Sequence, residues 1–374
     1  MSKHGRFEKP KVKKPLGGKK IALIVVGVIL VLLIVAVIFG IVYYNSILNK
    51  MKHVEVPKIQ YTEATTEATE ETAGEATTEE IAEETTVETT EPHVASSEDY
   101  INFLIVGQAA RGGEEERFAD TMILCTLNTY EKTLTMTSML RDTLVQQSGS
   151  YGTHTWGGIK LTTVYHLGYL WDEKAGSMAV MNQTLYNNFG IEVDYNFEVD
   201  FDAVVKIVDA LGGVDIELTE AEAEYLNNDD TWVYYDFEPG WAHLDGMCTL
   251  SYARMRKAEG DNDSDIIRTS RQRKLIEALI EKLKTWSPAS LQDLANDVLP
   301  YITTSMTNAE ITDCLLTILP MVWELEIQTG GTCPAESWGD IIDIYNDGYP
   351  DSVLKFDVAK TKKTMRAITE GETE

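Results

Sequence analysis

Ile101-Asn-Phe-Leu-Ile-Val-Gly107, Met122-Ile-Leu-Cys-Thr-Leu127 and Thr133-Leu-Thr-Met-Thr-Ser-Met-Leu140, the last running straight into Arg141-Asp-Thr143, decide how this chain folds. The first two are nearly continuous apolar runs, the pattern of strands covered on both faces, whereas the third alternates, with Leu134, Met136, Ser138 and Leu140 on one side. Only about a dozen residues separate the first run from the second, too few for a helical crossover, so the second strand is expected to return antiparallel. Asn128 to Lys132 then turns the chain into the third strand. On that order the end of the first strand, the start of the second and the end of the third meet at one sheet edge. They bring together Gly107 to Arg111, Asp120-Thr121 and Arg141-Asp142-Thr143. Polar and charged groups converging at a sheet end are the layout of an active site rather than of a packed core.

Beyond these strands the pattern switches between periods. Residues 174–189 and 201–211 read as helices; in the second, Phe201, Val204, Val205, Val208 and Leu211 form one stripe, ended by Gly212-Gly213. Residues 193–199 and 214–218 read as strands, 245–256, 265–286 and 307–322 as helices, and 353–357 as a late strand. Helices interleaved with buried strands predict an α/β fold, α-β-α layered around a mixed central sheet. We expect it over 99–374, with the motif-bearing core at about 100–286.

The chain has 374 residues, and its first hundred divide sharply. Residues 1–20 carry eight Lys or Arg and one Glu, and 21–44 are apolar without a charge. Twenty-four such residues rise about 36 Å as a helix, enough to span a hydrocarbon core of about 30 Å. Tyr43, Tyr44 and the basic tail mark the interfaces, which predicts a single-pass cell-membrane protein with its N-terminus cytoplasmic and the rest extracellular. Residues 62–91 hold eleven Thr and eleven Glu with no Lys, Arg or aromatic, so 45–98 is expected to be a disordered acidic linker. Between Tyr44 and Asp99 such a tether would reach roughly 40 Å. These features exclude a cytosolic enzyme, a multi-pass transporter and a wholly disordered chain.

The net charge of −28 is concentrated after Asp99, where 21 Lys and Arg face 46 Asp and Glu. So acidic a domain would repel nucleic acid. No G-x-x-x-x-G-K-[ST], G-x-S-x-G or H-E-x-x-H is present, and His154, His166 and His243 form no constellation. Cys125, Cys248 and Cys314 read as buried thiols, Cys333 in Gly-Gly-Thr-Cys-Pro as exposed. Arginine carries the signal: of nine in the domain, Arg254, Arg256, Arg268, Arg271 and Arg273 fall within twenty residues. Planar bidentate donors clustered in an acidic domain point to phosphate or pyrophosphate. On a helix starting near Ser264 or Asp265, Arg268, Gln272, Leu275 and Leu279 share one inward stripe, with Arg271 the next neighbour. An inward Arg at a helix start calls for an anion. Arg273 and Lys274 fall off the stripe and are expected in solvent. Arg254 and Arg256 lie about 200° apart on a helix and reach one site only if the chain unwinds between them.

With these residues the domain resembles the LytR-CpsA-Psr family of membrane-anchored cell-wall glycopolymer ligases. The matching stretches are Asn102-Phe-Leu-Ile-Val-Gly107, Ala119-Asp-Thr-Met122, Arg141-Asp-Thr143, Val208-Asp-Ala-Leu-Gly-Gly-Val214, Leu244-Asp-Gly246, Tyr252-Ala-Arg-Met-Arg256 and Asp265-x-x-Arg268-x-x-Arg271-Gln272. The resemblance implies a phosphotransferase that moves an anionic glycan, such as a teichoic acid or capsule polymer, from a polyprenyl-pyrophosphate carrier to peptidoglycan. It implies that Arg111, Arg141, Lys160, Arg254, Arg256, Arg268, Arg271 and Gln272 bind the pyrophosphate and that Asp120 holds Mg²⁺. Arg141, Asp265 and Arg268 would be catalytic, Asp265 orienting the arginines or assisting proton removal from the acceptor. Lys160 matches the family's Lys-Ile-Asn segment, with Thr162 where Asn is usual.

One position departs from the family. Ala109 stands where an aspartate usually pairs with the second carboxylate around the metal, and Glu114, Glu115 and Glu116 follow in the same loop. A lone Asp120 would hold Mg²⁺ weakly. The rival expectation is therefore a degenerate relative that binds polyprenyl phosphates without turnover, as a lipid sensor or wall-assembly scaffold. The aromatic stretch with Trp232, Tyr234, Tyr235, Phe237 and Trp241 reads as a hairpin packed on the domain, or as a lining for the lipid mouth or for sugar rings.

Overall fold

A computed structural model describes residues 43–57, 96–108, 118–146, 158–228, 235–256, 265–286, 288–335, 339–346 and 349–371. In chain order the elements are β1 (Lys52–His53), β2 (Tyr100–Gln108), β3 (Ala119–Asn128), β4 (Thr133–Met139), β5 (Leu144–Val145), β6 (Ile159–Lys160) and α1 (Leu161–Phe189). Then come β7 (Tyr195–Asp200), α2 (Phe201–Ala210), β8 (Val214–Leu218), α3 (Glu220–Asn227), β9 (Gly240–Leu244), α4 (Gly246–Arg254) and α5 (Asp265–Lys284). The chain ends with α6 (Pro288–Val298), β10 (Thr303–Thr304), α7 (Asn308–Ile318), β11 (Glu326–Cys333), β12 (Gly339–Asn346), β13 (Tyr349–Phe356) and α8 (Val358–Thr369). A seven-stranded mixed sheet runs β1-β10-β7-β2-β3-β4-β11. β2, β3 and β4 are successively antiparallel, as their short connections required, while β7 lies parallel to β2.

Both faces of the sheet are covered, which is why the middles of β2 and β3 are nearly continuous apolar runs. Leu104, Val106, Met122 and Leu124 pack under α1 and α8, with Val164, Leu185 and Met365. Phe103, Ile123, Cys125 and Met136 face Ile276 of α5 and Ile311 of α7. A third cluster fills the space between α2, α4, α5 and the β8–β9 ribbon, around Val208, Ile216, Tyr252 and Leu275. Burial pushes the Cys125 thiol up to about 12.

Several expectations are corrected. The helix expected over 174–189 is the second half of α1; a first half from Leu161, which was not expected, precedes it across a break at Asp172 and Glu173, the latter at φ 45°. In a continuous helix Gly168 and Gly176 would stand about 12 Å apart. Here a Cβ on Gly176 would lie 2.2 Å from the Gly168 carbonyl oxygen, so the two halves fold back on each other backbone to backbone. Cys333 is 1% exposed rather than open to solvent, because β11 adds it to the sheet beside Met139. The late strand pairs with β12 in a separate hairpin. Residues 45–98, expected as linker, contribute β1, whose Lys52 and His53 pair with Thr303 and Thr304. The apolar run at 21–44 lies almost wholly outside the described residues; among those described, no helix is long and apolar enough to cross a membrane.

Candidate functional site

The edge where β2 ends, β3 begins and β4 ends is built by three local devices. Register between β2 and β3 shifts there, Gly107 facing Thr121 and Gln108 facing Ala119, which leaves Asp120 as the extra residue of a bulge. Bulges re-aim side chains, and Asp120 is 30% exposed at this one. After β4, the Leu140 carbonyl accepts from the Thr143 amide (3.2 Å) and hydroxyl (2.6 Å), making a tight turn. That turn swings Arg141 towards Asp120, Nη1 to Oδ1 2.9 Å. The carbonyls of Thr143 and Arg141 accept from the Leu161 and Thr162 amides at 2.9 and 3.0 Å, satisfying helix-start donors of α1. Lys160, just ahead of that helix, reaches Asp142 at 3.0 Å.

The third device is the start of α5, where Asp265 suits the positive end of the helix. Its Oδ1 lies 2.6 Å from Arg268 Nη2 and 3.4 Å from Arg141 Nε, so one carboxylate bridges both arginines. Arg268 Nη2 also donates to the Asp120 carbonyl at 3.1 Å, tying helix to strand. Arg141 Nε, Arg268 Nε and Asp265 Oδ2 are buried without a hydrogen-bond partner. Such atoms are costly unless something binds them. Burial holds the Asp265 carboxyl above its ordinary value against the pull of Arg268 and Arg141. Burial also lowers Arg268, which Asp265 only partly offsets. For Arg141 burial is outweighed by Asp265, Asp142 and Asp120, and its pKa rises. Two guanidiniums with unused donors and a carboxyl with an unused acceptor can hold a tetrahedral oxyanion and receive a proton beside it.

The remaining expected residues divide. Helix α4 ends at Arg254 and Met255 is extended (φ −53°, ψ 124°), the unwinding the spacing required. Arg256 is exposed and acts electrostatically on Asp265 and Arg268, whereas Arg254 sits 4.6 Å over the Phe201 ring. Arg271, expected at the pyrophosphate, is instead buried against Glu222, Nε to Oε1 2.7 Å, and donates to the Met255 carbonyl. Gln272 donates to the Ala253 carbonyl at 3.3 Å. These two brace the segment carrying Arg254 and Arg256. Arg273, expected in solvent, is half-buried and donates to Ser138. Arg111, Ala109 and Glu114 to Glu116 lie outside the described residues. Sequence reasoning brought Asp142 to this edge without giving it a role, which is to join Lys160 to Arg141, and it missed Glu222.

Asp120 is the carboxylate at this edge that a magnesium ion would use, and the loop holding Ala109 and Glu114 to Glu116 lies outside the described residues. Among the described residues no group of three or more His, Cys, Asp or Glu could hold a metal, and Asp120 already pairs with Arg141.

Known proteins resemble this chain in sequence and in fold. The model of the LytR_cpsA_psr family matches residues 59–329. The polyisoprenyl-teichoic acid–peptidoglycan teichoic acid transferase TagU of Halalkalibacterium halodurans is 30% identical over 270 residues, 72% of this chain and 74% of that protein. TagV of Bacillus subtilis, a transferase of the same name, is 32% identical over 187 residues, 50% of this chain; the chain spans only 44% of its length. The crystal structure of B. subtilis TagT superposes with a TM-score of 0.52 at 22% identity, covering 76% of this chain and 95% of that one, a likeness of fold.

Proposed function

This chain belongs to the LytR-CpsA-Psr family, and from that premise we propose that it transfers an anionic glycopolymer from a polyprenyl-pyrophosphate carrier to peptidoglycan at the outer face of the membrane. The observation that carries this reading is the pair Arg141 and Arg268, bridged by Asp265, with a buried unused donor on each. The two guanidiniums take the phosphate oxygens, with Arg256 and Lys160 adding positive charge at the rim. An acceptor sugar hydroxyl attacks the glycan-side phosphorus and its oxygen forms the new P–O bond. The P–O bond to the bridging oxygen breaks, polyprenyl phosphate leaves, and the hydroxyl proton passes to Asp265 Oδ2. In phosphoryl transfer, positioning and charge neutralisation supply most of the catalysis. The apolar run at 21–44 serves as a single-pass anchor with the N-terminus cytoplasmic. In support, the chain enters the sheet at Lys52, whose neighbour Thr303 pairs with Glu198, level with Val106 near the site end of β2.

The test uses the full-length protein with a polyprenyl-pyrophosphate oligosaccharide and peptidoglycan fragments. Release of polyprenyl phosphate together with linked glycan is the expected result. Tight lipid binding with neither product would favour the rival reading, a lipid-binding relative without turnover, which the Ala109 position motivates.

A further inference from the structure

The β8–β9 ribbon turns an unusual face outward. Strand alternation sends Val214, Ile216 and Leu218 into the core and leaves Asp215 and Glu217 exposed. On β9 the partners of those two residues, His243 and Trp241, point the same way. Trp241 is 75% exposed, although a Trp normally contributes most when it is covered. Beside it a cleft of about 570 Å³ separates the ribbon from α5. Ile216 and Ala278 give it an apolar floor, while Asp215, Glu217, Glu277 and Glu281 on one side of the balance face Lys274 and Lys282 on the other. Lys282 donates to the carbonyls of Gly212 and Gly213, which pins the ribbon to the helix, while Asp215 pairs with His243 and Glu281 with Lys284, so Glu217 and Glu277 are the carboxylates left to meet an occupant. Its volume falls in the range of pockets for small ligands.

We propose that this cleft binds a neutral or amino-bearing saccharide chain, the acceptor in the transfer. An indole face stacks on the apolar face of a pyranose, and carboxylates at the rim accept its hydroxyls and any amino group. The same carboxylates repel a phosphate-bearing glycan. The donor and acceptor are thus sorted by charge along one helix. The start of α5 takes the anion through Arg268, and Glu277, about 14 Å further along the axis and about half a turn round it, meets the neutral chain. That the occupant is the acceptor rests on the function proposed above; that the cleft takes a neutral saccharide does not.

The test measures binding of a β-1,4-linked N-acetylglucosamine tetrasaccharide to the full-length protein by calorimetry, with a phosphate-bearing oligosaccharide as the second probe. Trp241→Ala is expected to weaken the neutral probe at least tenfold, and the Glu217→Gln, Glu277→Gln double variant several-fold, with the melting temperature unchanged. In the transfer assay Trp241→Ala should raise the acceptor KM and leave the donor KM as it was. Equal affinity of Trp241→Ala and the parent protein for the tetrasaccharide, or a loss of the phosphate-bearing probe in Trp241→Ala as large as the loss of the tetrasaccharide, would overturn the proposal. If the parent binds the tetrasaccharide through Trp241 but transfers nothing, the cleft stands and the transferase reading fails.

Discussion

Arg268 and Arg271 lie three residues apart on α5, both almost fully buried, and each pairs with a carboxylate, yet the two pairs differ in one respect. Arg271 has Glu222 and a main-chain carbonyl, inside a cluster closed to solvent. Arg268 shares Asp265 with Arg141, and that group keeps unused donors and an unused acceptor at the sheet edge. A satisfied buried pair holds elements together, whereas an unsatisfied one at an edge stores recognition capacity. Burial alone distinguishes neither, because both arginine side chains are 3% exposed.

Substitution separates the two roles. Arg268→Ala should lower transfer by at least about a thousandfold, the scale seen when a group stabilising transition-state charge is lost. Its effect on stability should be modest, since Asp265 retains Arg141. Arg271→Ala should do the reverse and cost about 3–5 kcal/mol of stability by leaving Glu222 a buried, unpaired charge. Thermal melts beside rate measurements read both effects. Equal loss of stability in the two variants would erase the distinction.

Asp265→Asn comes next, with an expected rate loss of about a hundredfold or more. Its signature is the pH profile. The Asp265 carboxyl titrates above its ordinary value of 3.8 because it is buried, so the fraction able to accept a proton grows as pH rises through that elevated range. The parent's rate should climb over this interval, and Asp265→Asn should remove the climb. An unchanged acid limb in the Asn variant would assign the residue to orienting Arg141 and Arg268 only.

What was legible in the sequence follows the same division. The strands β2, β3 and β4 could be read because being covered on both faces demands unbroken apolar runs, and loop length set their direction. Asp120 and Arg141 followed from that order and Arg268 from helical spacing, whereas the role of Asp265 came from the family resemblance. Arg271 was misplaced because its stripe position is equally suited to an anion or to Glu222, and no local pattern pairs residues 49 apart. Edge strands were invisible for a different reason. β11 contains Gly330-Gly331, which reads as a loop. Gly330 falls at an irregularity in the pairing with β4, where a Cβ would stand 2.0 Å from Thr137 Oγ1, so glycine is what lets the strand lie that close. The first half of α1, rich in Thr, Tyr and Gly, is a weak helix on propensity and exists because its partner half covers it.

The smallest expected effect concerns the Thr/Glu segment, and it contrasts the two ends of that stretch. A spacer between anchor and domain would have the domain only at its far end. Here His53 is in the sheet on one side and Tyr100 on the other, so the intervening 46 residues leave and re-enter the same folded unit. Their length then sets the entropy of a closed loop, not the reach of the domain. Deleting 62–91 leaves sixteen residues to cross three strand spacings, about 14 Å, which they span easily. Loop-closure entropy predicts a gain of about 1 kcal/mol. Removing eleven Glu from a chain of net charge −28 acts in the same direction by reducing self-repulsion. Transfer by the deletion variant in membranes should stay within about twofold of the parent, because a change in loop length touches neither Arg141 nor Arg268. A large loss of transfer in membranes, with stability raised as expected, would return the segment to the role of a spacer that must be long.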